Sequence, residues 1–345
     1  MESPTAILGN EQEFWIGRGP LAAWSEPKPG SLAFLSPDFS EDPDRSPWLV
    51  PAQSERRPRE SAVSARSPLA VRWEAPSREA FAEAFEAIRS LRESGDLAKA
   101  VPVTFERGRF AAEVADPWGE LSSRAMASPP ALYPYGLRRG DGFFVGISPE
   151  RLVEIEGSHL WTMALAGTAP DSEADRLWRD PKEGAEHDFV VRDILERLRD
   201  FGDFAAGERR LRRLPGLVHL ETPIEGQLRR AVTPSLARSL VAALHPTAAL
   251  GVYPRTPSAL AWLRQHSEAT ARGSFGAPFG VWTPEGRFFC VVAIRRVDVR
   301  GSELRVGAGC GVVAGSELER EWRELALKRD SVKRRLGLIP GGEGA

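Results

Sequence analysis

The chain has 345 residues, 42% of them hydrophobic and 27% charged, enough for one large core or two smaller ones. A formal net charge of −2 gives no electrostatic footprint for nucleic acid or an anionic membrane. Cys290 and Cys310 are too few for a disulfide framework or a thiolate metal cage, no apolar run approaches the roughly 20 residues of a membrane span, and the opening "MESPTAILGNEQEFW" has no basic-then-apolar leader, so a cytoplasmic protein is expected.

Residues 1–75 are rich in Pro, Ser and Arg, and by composition read as a loop-rich N-terminal part of the same domain, with short apolar pieces such as "SLAF" and "LAVRW" as possible strands. A helix follows in "SREAFAEAFEAIRSLRES", with Ser77 as N-cap and Phe81, Phe85, Ile88 and Leu91 on one face. Strand-like segments come next: "AVPVTF", "FAAEVA", "GFFVGI", and "RLVEIEGSHLWTMAL", a hairpin turning at "EGSH". The spacing predicts a helix over 183–201, then a strand pair in "LVHLETPIEGQL" and helices in "PSLARSLVAAL" and "TPSALAWLRQH". A long β region, residues 277–313, has turns at "PEG" and "RGSE" and leads to a last helix over 316–335 with Ser316 as its cap; residues 339–345 read as a tail. Hairpin-linked strands broken by helices, without repeated strand–helix–strand units, predict an α+β fold with large, mostly antiparallel sheets, and 76–338 reads as its main body.

Two features stand out from this background. Only five of the 46 basic residues are lysine (Lys28, Lys99, Lys182, Lys328 and Lys333), and lysine, unlike arginine, can be made neutral by burial. The helices starting near 183 and 316 each carry an E-x-x-E pair, Glu183 with Glu186 and Glu321 with Glu324, so each pair shares a helix face. Facing each other, they would offer hard oxygen ligands suited to Mg²⁺. Spacing alone also fits solvated acidic groups complementing a helix dipole. Gly307, Gly309 and Gly311 weaken the strand they interrupt unless backbone must bend or approach a ligand closely. Arg295, in an otherwise apolar strand, calls for an anionic partner.

The ordered segments "GISPERL", "ALAGT", "EHDFVVRDI", "VHLETPIEG", "LHPTAALGVYPR", "AIR", "GAGCGVV" and "EREWRELALK" together resemble the chorismate-utilising enzymes, which include isochorismate, salicylate, anthranilate and aminodeoxychorismate synthases. The resemblance covers roughly residues 77–338 and implies a single chorismate-binding domain with two large sheets and flanking helices. It implies Mg²⁺ as cofactor, with Glu186 and Glu324 as metal ligands and Glu183 and Glu321 behind them. It also implies Gly167, Thr168, His245, Arg295, Lys328 and the backbone near Gly309 and Gly311 as substrate-binding groups.

Within this family, lysine at position 99 marks the members that use water as nucleophile. Lys99 would then be the general base, a role an amine fills only when neutral. Glu150 of "SPERL" would be the general acid that protonates the departing C4 hydroxyl, for which a low-dielectric setting is needed. Ala166 stands where aminodeoxychorismate synthases carry a lysine used covalently. Together these imply an isochorismate synthase serving menaquinone or siderophore formation, a monomer or homodimer without an amidotransferase subunit. Salicylate synthase and a non-catalytic relative remain open. Departures from the family pattern are Ala277 for glycine in "GAPFG", Pro102 after Lys99, and "HPTAA" for "HPTPA".

Overall fold

The computed structural model describes residues 4–59 and 67–341. Eighteen strands join into one hydrogen-bonded network built from two long runs. The first passes from β4 (Trp48–Pro58) through β2 (Glu13–Trp24), β1 (Pro4–Gly9), β8 (Tyr133–Arg139), β9 (Gly142–Ser148), β18 (Arg296–Arg300), β19 (Glu303–Gly309) and β7 (Val103–Phe110) to β5 (Leu69–Glu74). Strand β20 (Leu338–Pro340) closes it on β5 in the one parallel ladder among the described residues. The second run is β3 (Ala33–Leu35), β16 (Pro278–Trp282), β17 (Phe288–Val292), β10 (Arg151–Glu156), β11 (His159–Ala169) and β14 (Leu217–Leu228), with β12 (Gly202–Ala206) and β13 (Arg210–Leu214) end to end along β14. The runs meet where Trp48 and Leu49 of β4 pair with Leu35 and Phe34 of β3. The predicted α+β fold with two large antiparallel sheets is therefore present, the two being continuous through β4.

Helices cover these sheets. α1 (Arg78–Glu93) starts at Ser77, whose hydroxyl accepts from Ala80 N–H as expected, and buries Phe81, Phe85 and Ile88. α4 (Pro181–Leu198) starts behind Asp180, whose carboxylate accepts from Lys182 and Glu183 N–H; α5 (Pro234–Leu244) packs beside it. Val190, Ile194 and Leu198 of α4 and Leu236, Leu240 and Leu244 of α5 share a core with Val153, Leu160, Ile224 and Phe288 of the second run. A separate cluster joins α1, α6 (Pro257–Ala269) and α7 (Leu318–Arg335) to Ala308, Cys310 and Val312. A two-stranded sheet, β6 (Lys99–Ala100) with β15 (Val252–Tyr253), lies outside the main network. Short helices α2 (Pro117–Met126) and α3 (Ala174–Arg179) complete the set.

Several expectations are corrected. Residues 1–75, read as loop-rich, supply β1–β5. Their charged stretch is solvated strand, with Arg56 paired to Glu13 and Arg18 to Glu55 at 2.8 Å. The expected tail at 339–345 begins inside β20, and its last four residues, 342–345, lie outside the described part. "LVHLETPIEGQL" is one strand, and Pro223 falls between the stretches of β14 that pair with β12 and β13. "FAAEVA" is not a strand, since β7 ends at Phe110. Ser316 does not cap α7: its hydroxyl accepts from Val313 N–H, and Glu317 stands at the cap position without a side-chain bond. Arg295 lies in the break between β17 and β18, with a left-handed φ of 56°, rather than within a strand.

Candidate active site

The starts of α4 and α7 face each other. Arg320, in the first turn of α7, donates to Asp180 at 2.7 Å and Glu183 at 2.9 Å, which ties the two helix starts together. Between them lies the ammonium of Lys182, at 2.8 Å from Glu321 Oε1, 3.2 Å from Glu183 Oε1 and 3.4 Å from Glu186 Oε2. All four side chains are buried. Burial, reinforced by a neighbouring carboxylate (Glu186 beside Glu183, Glu324 beside Glu321), pushes the carboxyls of Glu183 and Glu321 up to about 7. Glu186 behaves oppositely. Burial opposes its ionisation too, but Lys99, Lys182 and Lys328 together outweigh that and hold it at about 2.

Lys99 is fully buried, with its ammonium 3.1 Å from Glu186 Oε1. Two short ladders position it. Its neighbour Ala100 exchanges hydrogen bonds with Val312 at 2.8 and 3.2 Å, and β15 pairs with β6 on the other side. This brings Lys99 beside Gly311. A Cβ on Gly311 would lie 2.0 Å from Glu186 Oε1 and 2.8 Å from Lys99 Cε, so only glycine leaves room for the pair. The close backbone approach expected of the "GAGCG" segment is thus an approach to Glu186 and Lys99.

Glu186 also reaches a small cavity of about 60 Å³ whose lining includes Glu150, Gly167, Thr168, Arg295, Gly309, Gly311 and Lys328. That is room for a few waters, so a ring-sized ligand must move side chains to enter. Glu150 sits on the cavity wall just before β10. Its N–H donates to Ser148 Oγ at 3.1 Å and its carbonyl accepts from Val292 N–H at 3.1 Å. Burial pushes its carboxyl up to about 8, against the pull of Lys99, Lys328 and Arg295, so it keeps its proton at neutral pH. Burial brings the Arg295 guanidinium down to about 10. Lys328 is engaged by Glu324 at 2.6 Å and by the Gly309 carbonyl oxygen at 2.7 Å.

The histidine expectation is corrected. His245 does not line the cavity: at the end of α5, it donates from Nε2 to the Phe39 carbonyl oxygen at 2.9 Å, and its ring stands edge-on to Phe39. The histidine on the cavity wall is His219 of β14. Its Nδ1 lies 3.2 Å from the Gly167 carbonyl oxygen and 3.0 Å from Thr168 Oγ1, while buried Nε2 has no hydrogen-bond partner among the described residues. Sequence reasoning missed His219 and Lys182. The one available signal for Lys182 was the scarcity of lysine, since three of the five, Lys99, Lys182 and Lys328, converge here. A larger cavity of about 630 Å³ crosses β7, β8, β9, β18 and β19, but none of the predicted site residues lines it. Most of its arginines already have partners: Arg296 and Arg305 with Asp298 at 2.7 and 3.3 Å, Arg109 with Glu303 at 2.9 Å, and Arg300 with Asp141 at 3.5 Å.

Residues 49–337 match the family model described as chorismate binding enzyme. The chain belongs to that family. Among curated members, it is 36% identical over 239 residues to the salicylate biosynthesis isochorismate synthase of Pseudomonas aeruginosa, covering 66% of this chain and 48% of the relative. It is 32% identical over 231 residues to isochorismate synthase EntC of Escherichia coli K12, covering 64% and 58%. Anthranilate synthase component 1 of Pseudomonas putida matches at 31% over 221 residues, 61% of this chain and 44% of the relative. The matched segments thus span about half the length of these relatives. The fold superimposes on DhbC of Bacillus anthracis with a TM-score of 0.83, at 21% identity and 97% coverage of both chains. Among the described residues, no three acidic, histidine or cysteine side chains are drawn to the spacing a metal ion needs. The donor set nonetheless suits Mg²⁺. Hard carboxylate oxygens converge from two helix starts, and Glu183 Oε2 and Glu321 Oε2 are buried without hydrogen-bond partners among the described residues.

Proposed function

We propose that the protein is an isochorismate synthase, adding water at C2 of chorismate as the C4 hydroxyl departs. The observation that carries this reading is a buried carboxyl, Glu150, on a cavity wall, where burial favours its protonated form against the pull of nearby Lys99. Once it has released its own proton to solvent, Lys99 takes a proton from the attacking water, the new C2–O bond forms, the ring double bonds shift, and the C4–O bond breaks as Glu150 delivers its proton to the leaving hydroxyl. The base and the acid are then reset by exchange with solvent. Arg295, and the backbone N–H groups near Gly309 and Gly311, offer donors to the substrate's carboxylates; Thr168 and Gly167 line the same wall. When bound by Glu186 and Glu324, with Glu183 and Glu321 behind them, Mg²⁺ would compensate charge and accept a substrate carboxylate oxygen as a ligand.

Water is favoured over an amine because the cavity wall carries Ala166, where the resemblance would put the covalent lysine of aminodeoxychorismate synthases, and because Lys99, the residue that marks the water-using members, lies 3.1 Å from Glu186. Product analysis tests the reading. Purified protein is incubated with chorismate and Mg²⁺, with and without ammonium, and the products are resolved by chromatography. Isochorismate in both samples is expected. Anthranilate or another aminated product formed only with ammonium overturns water as nucleophile. Salicylate with pyruvate moves the assignment to a synthase that also eliminates pyruvate, and absence of turnover leaves a binding protein.

A further inference from the structure

Lys182 is a cation in an unfavourable place. It occupies the second position of α4, where the positive end of the helix dipole disfavours an ammonium, and it is buried. Three carboxylates compensate it, from Glu183 and Glu186 on its own helix and Glu321 on the facing one. Accepting that these carboxylates are the Mg²⁺ site, we propose that the Lys182 ammonium is a built-in counter-ion that occupies the divalent-cation position and must be displaced for the metal to bind.

Three observations support the exclusion. An ammonium has three donors and leaves the second oxygens of Glu183 and Glu321 buried without hydrogen-bond partners among the described residues, a deficit that a divalent ion with its waters would remove. With Lys182 wedged among them, the acidic side chains do not gather to metal-ligand spacing among the described residues. The residue is also a lysine in a chain whose basic residues are nearly all arginine. A point charge on a flexible four-carbon stem can swing aside, whereas the rigid guanidinium fork would lock onto the carboxylates. Without metal, the ammonium keeps the acidic helix starts from repelling each other. With metal, the same charge competes for the position and weakens cation affinity.

The test measures cation binding, without chorismate, by titrating the full chain with MnCl₂ and MgCl₂ in a calorimeter. Lys182→Met should bind either cation at least tenfold more tightly than the wild type, and Lys182→Arg should show no gain. Should Lys182→Met fail to fold, the wild type carries the test by NMR with lysine labelled at ¹³Cε. Five lysines give five signals, and the Lys182 signal should move on Mg²⁺ addition while those of Lys28 and Lys333 stay. Equal affinity in wild type and Lys182→Met, or an unmoved Lys182 signal under saturating Mg²⁺, overturns the exclusion alone. No binding by either protein overturns the metal site, and the exclusion with it.

Discussion

Replacing Glu150 with Gln should abolish turnover and yet make the protein more stable at alkaline pH. In the folded chain, burial pushes this carboxyl from an ordinary 4.5 up to about 8, and the nearby Lys99, Lys328 and Arg295 recover only part of that shift. Between those values the unfolded chain has released the proton and the folded chain retains it. The folded state therefore binds more protons, and stability falls as pH rises through this window. The contribution is fully present below about pH 4.5 and is lost once pH passes about 8. At about 1.4 kcal/mol per pH unit, the full displacement is worth roughly 5 kcal/mol, and relaxation with water penetration should leave about 2 kcal/mol to be measured. Gln keeps the shape and a donor but does not titrate. Urea unfolding of both proteins between pH 5 and pH 9 gives the assay, and the stability of Glu150→Gln relative to wild type should climb with pH up to about 8 and level off above it. Parallel profiles would refute the claim that this group is held protonated by its surroundings, and with it the general-acid role. The same titration predicts that wild-type turnover declines as pH rises past about 8, as the acid is lost.

Gly311→Ala should cost at least 100-fold in turnover, about 2.7 kcal/mol, because the added methyl would overlap Glu186 Oε1 and press on Lys99 Cε; steady-state kinetics near wild-type values would show that the Glu186–Lys99 contact is dispensable. His245→Ala should lower unfolding free energy by about 2 kcal/mol through the lost hydrogen bond to Phe39 and the ring contact, while KM for chorismate stays within about twofold. A tenfold rise in KM would put His245 back at the substrate. Glu324→Gln should weaken Mg²⁺ dependence, read as a rightward shift of the activating Mg²⁺ titration; an unchanged curve would place the metal elsewhere.

How much of this was legible in the sequence depended on whether a feature was local. The hydrophobic spacing of α1 and α4, the Ser77 cap and the Gly157, Gly286 and Gly301 turns are local, and the structure carries them as expected. The N-terminal strands were hidden. β2 buries Glu13–Gly17 without alternation and then slips register between Arg18 and Leu21, so neither a period of two nor composition marks it as a strand. The E-x-x-E spacing on α4 and α7 was visible, but not that the two helix starts meet, because Arg320 and Lys182 bridge them only through tertiary packing. Lys182 itself looks like an ordinary solvated residue at an acidic helix start until α7 covers it. His219 was overlooked because β14 is buried through six consecutive residues, Leu217–Thr222, where a histidine reads as core. Ala277, a departure from the family pattern, is accommodated: the left-handed turn is made by Gly276, at φ 79°, and Ala277 packs in the α1 cluster.

The proposed acid and base are supported by different parts of the fold. Glu150 belongs to the main network, where Ser148 and Val292 fix its backbone between β9, β10 and β17. Lys99 belongs to a strand of two residues, held by Tyr253 on one side and, through Ala100, by Val312 on the other. The segment from Gly307 to Val312 is what relates them: it leaves β19, which is tied into the main sheet by β18 and β7, and then receives Ala100 at Val312. A pair of residues in a ladder this short gains little stability of its own, so the position of Lys99 is set by its neighbours rather than by its strand. Pro102 fits this arrangement, since it falls in the break between β6 and β7, where no ladder needs its missing N–H. Across the break the Ala100–Val312 bridge keeps the register of the β7–β19 ladder, so Lys99 stays beside the 307–312 segment. This departure from the family pattern thus sits where the fold tolerates it, and it leaves the lysine beside Glu186.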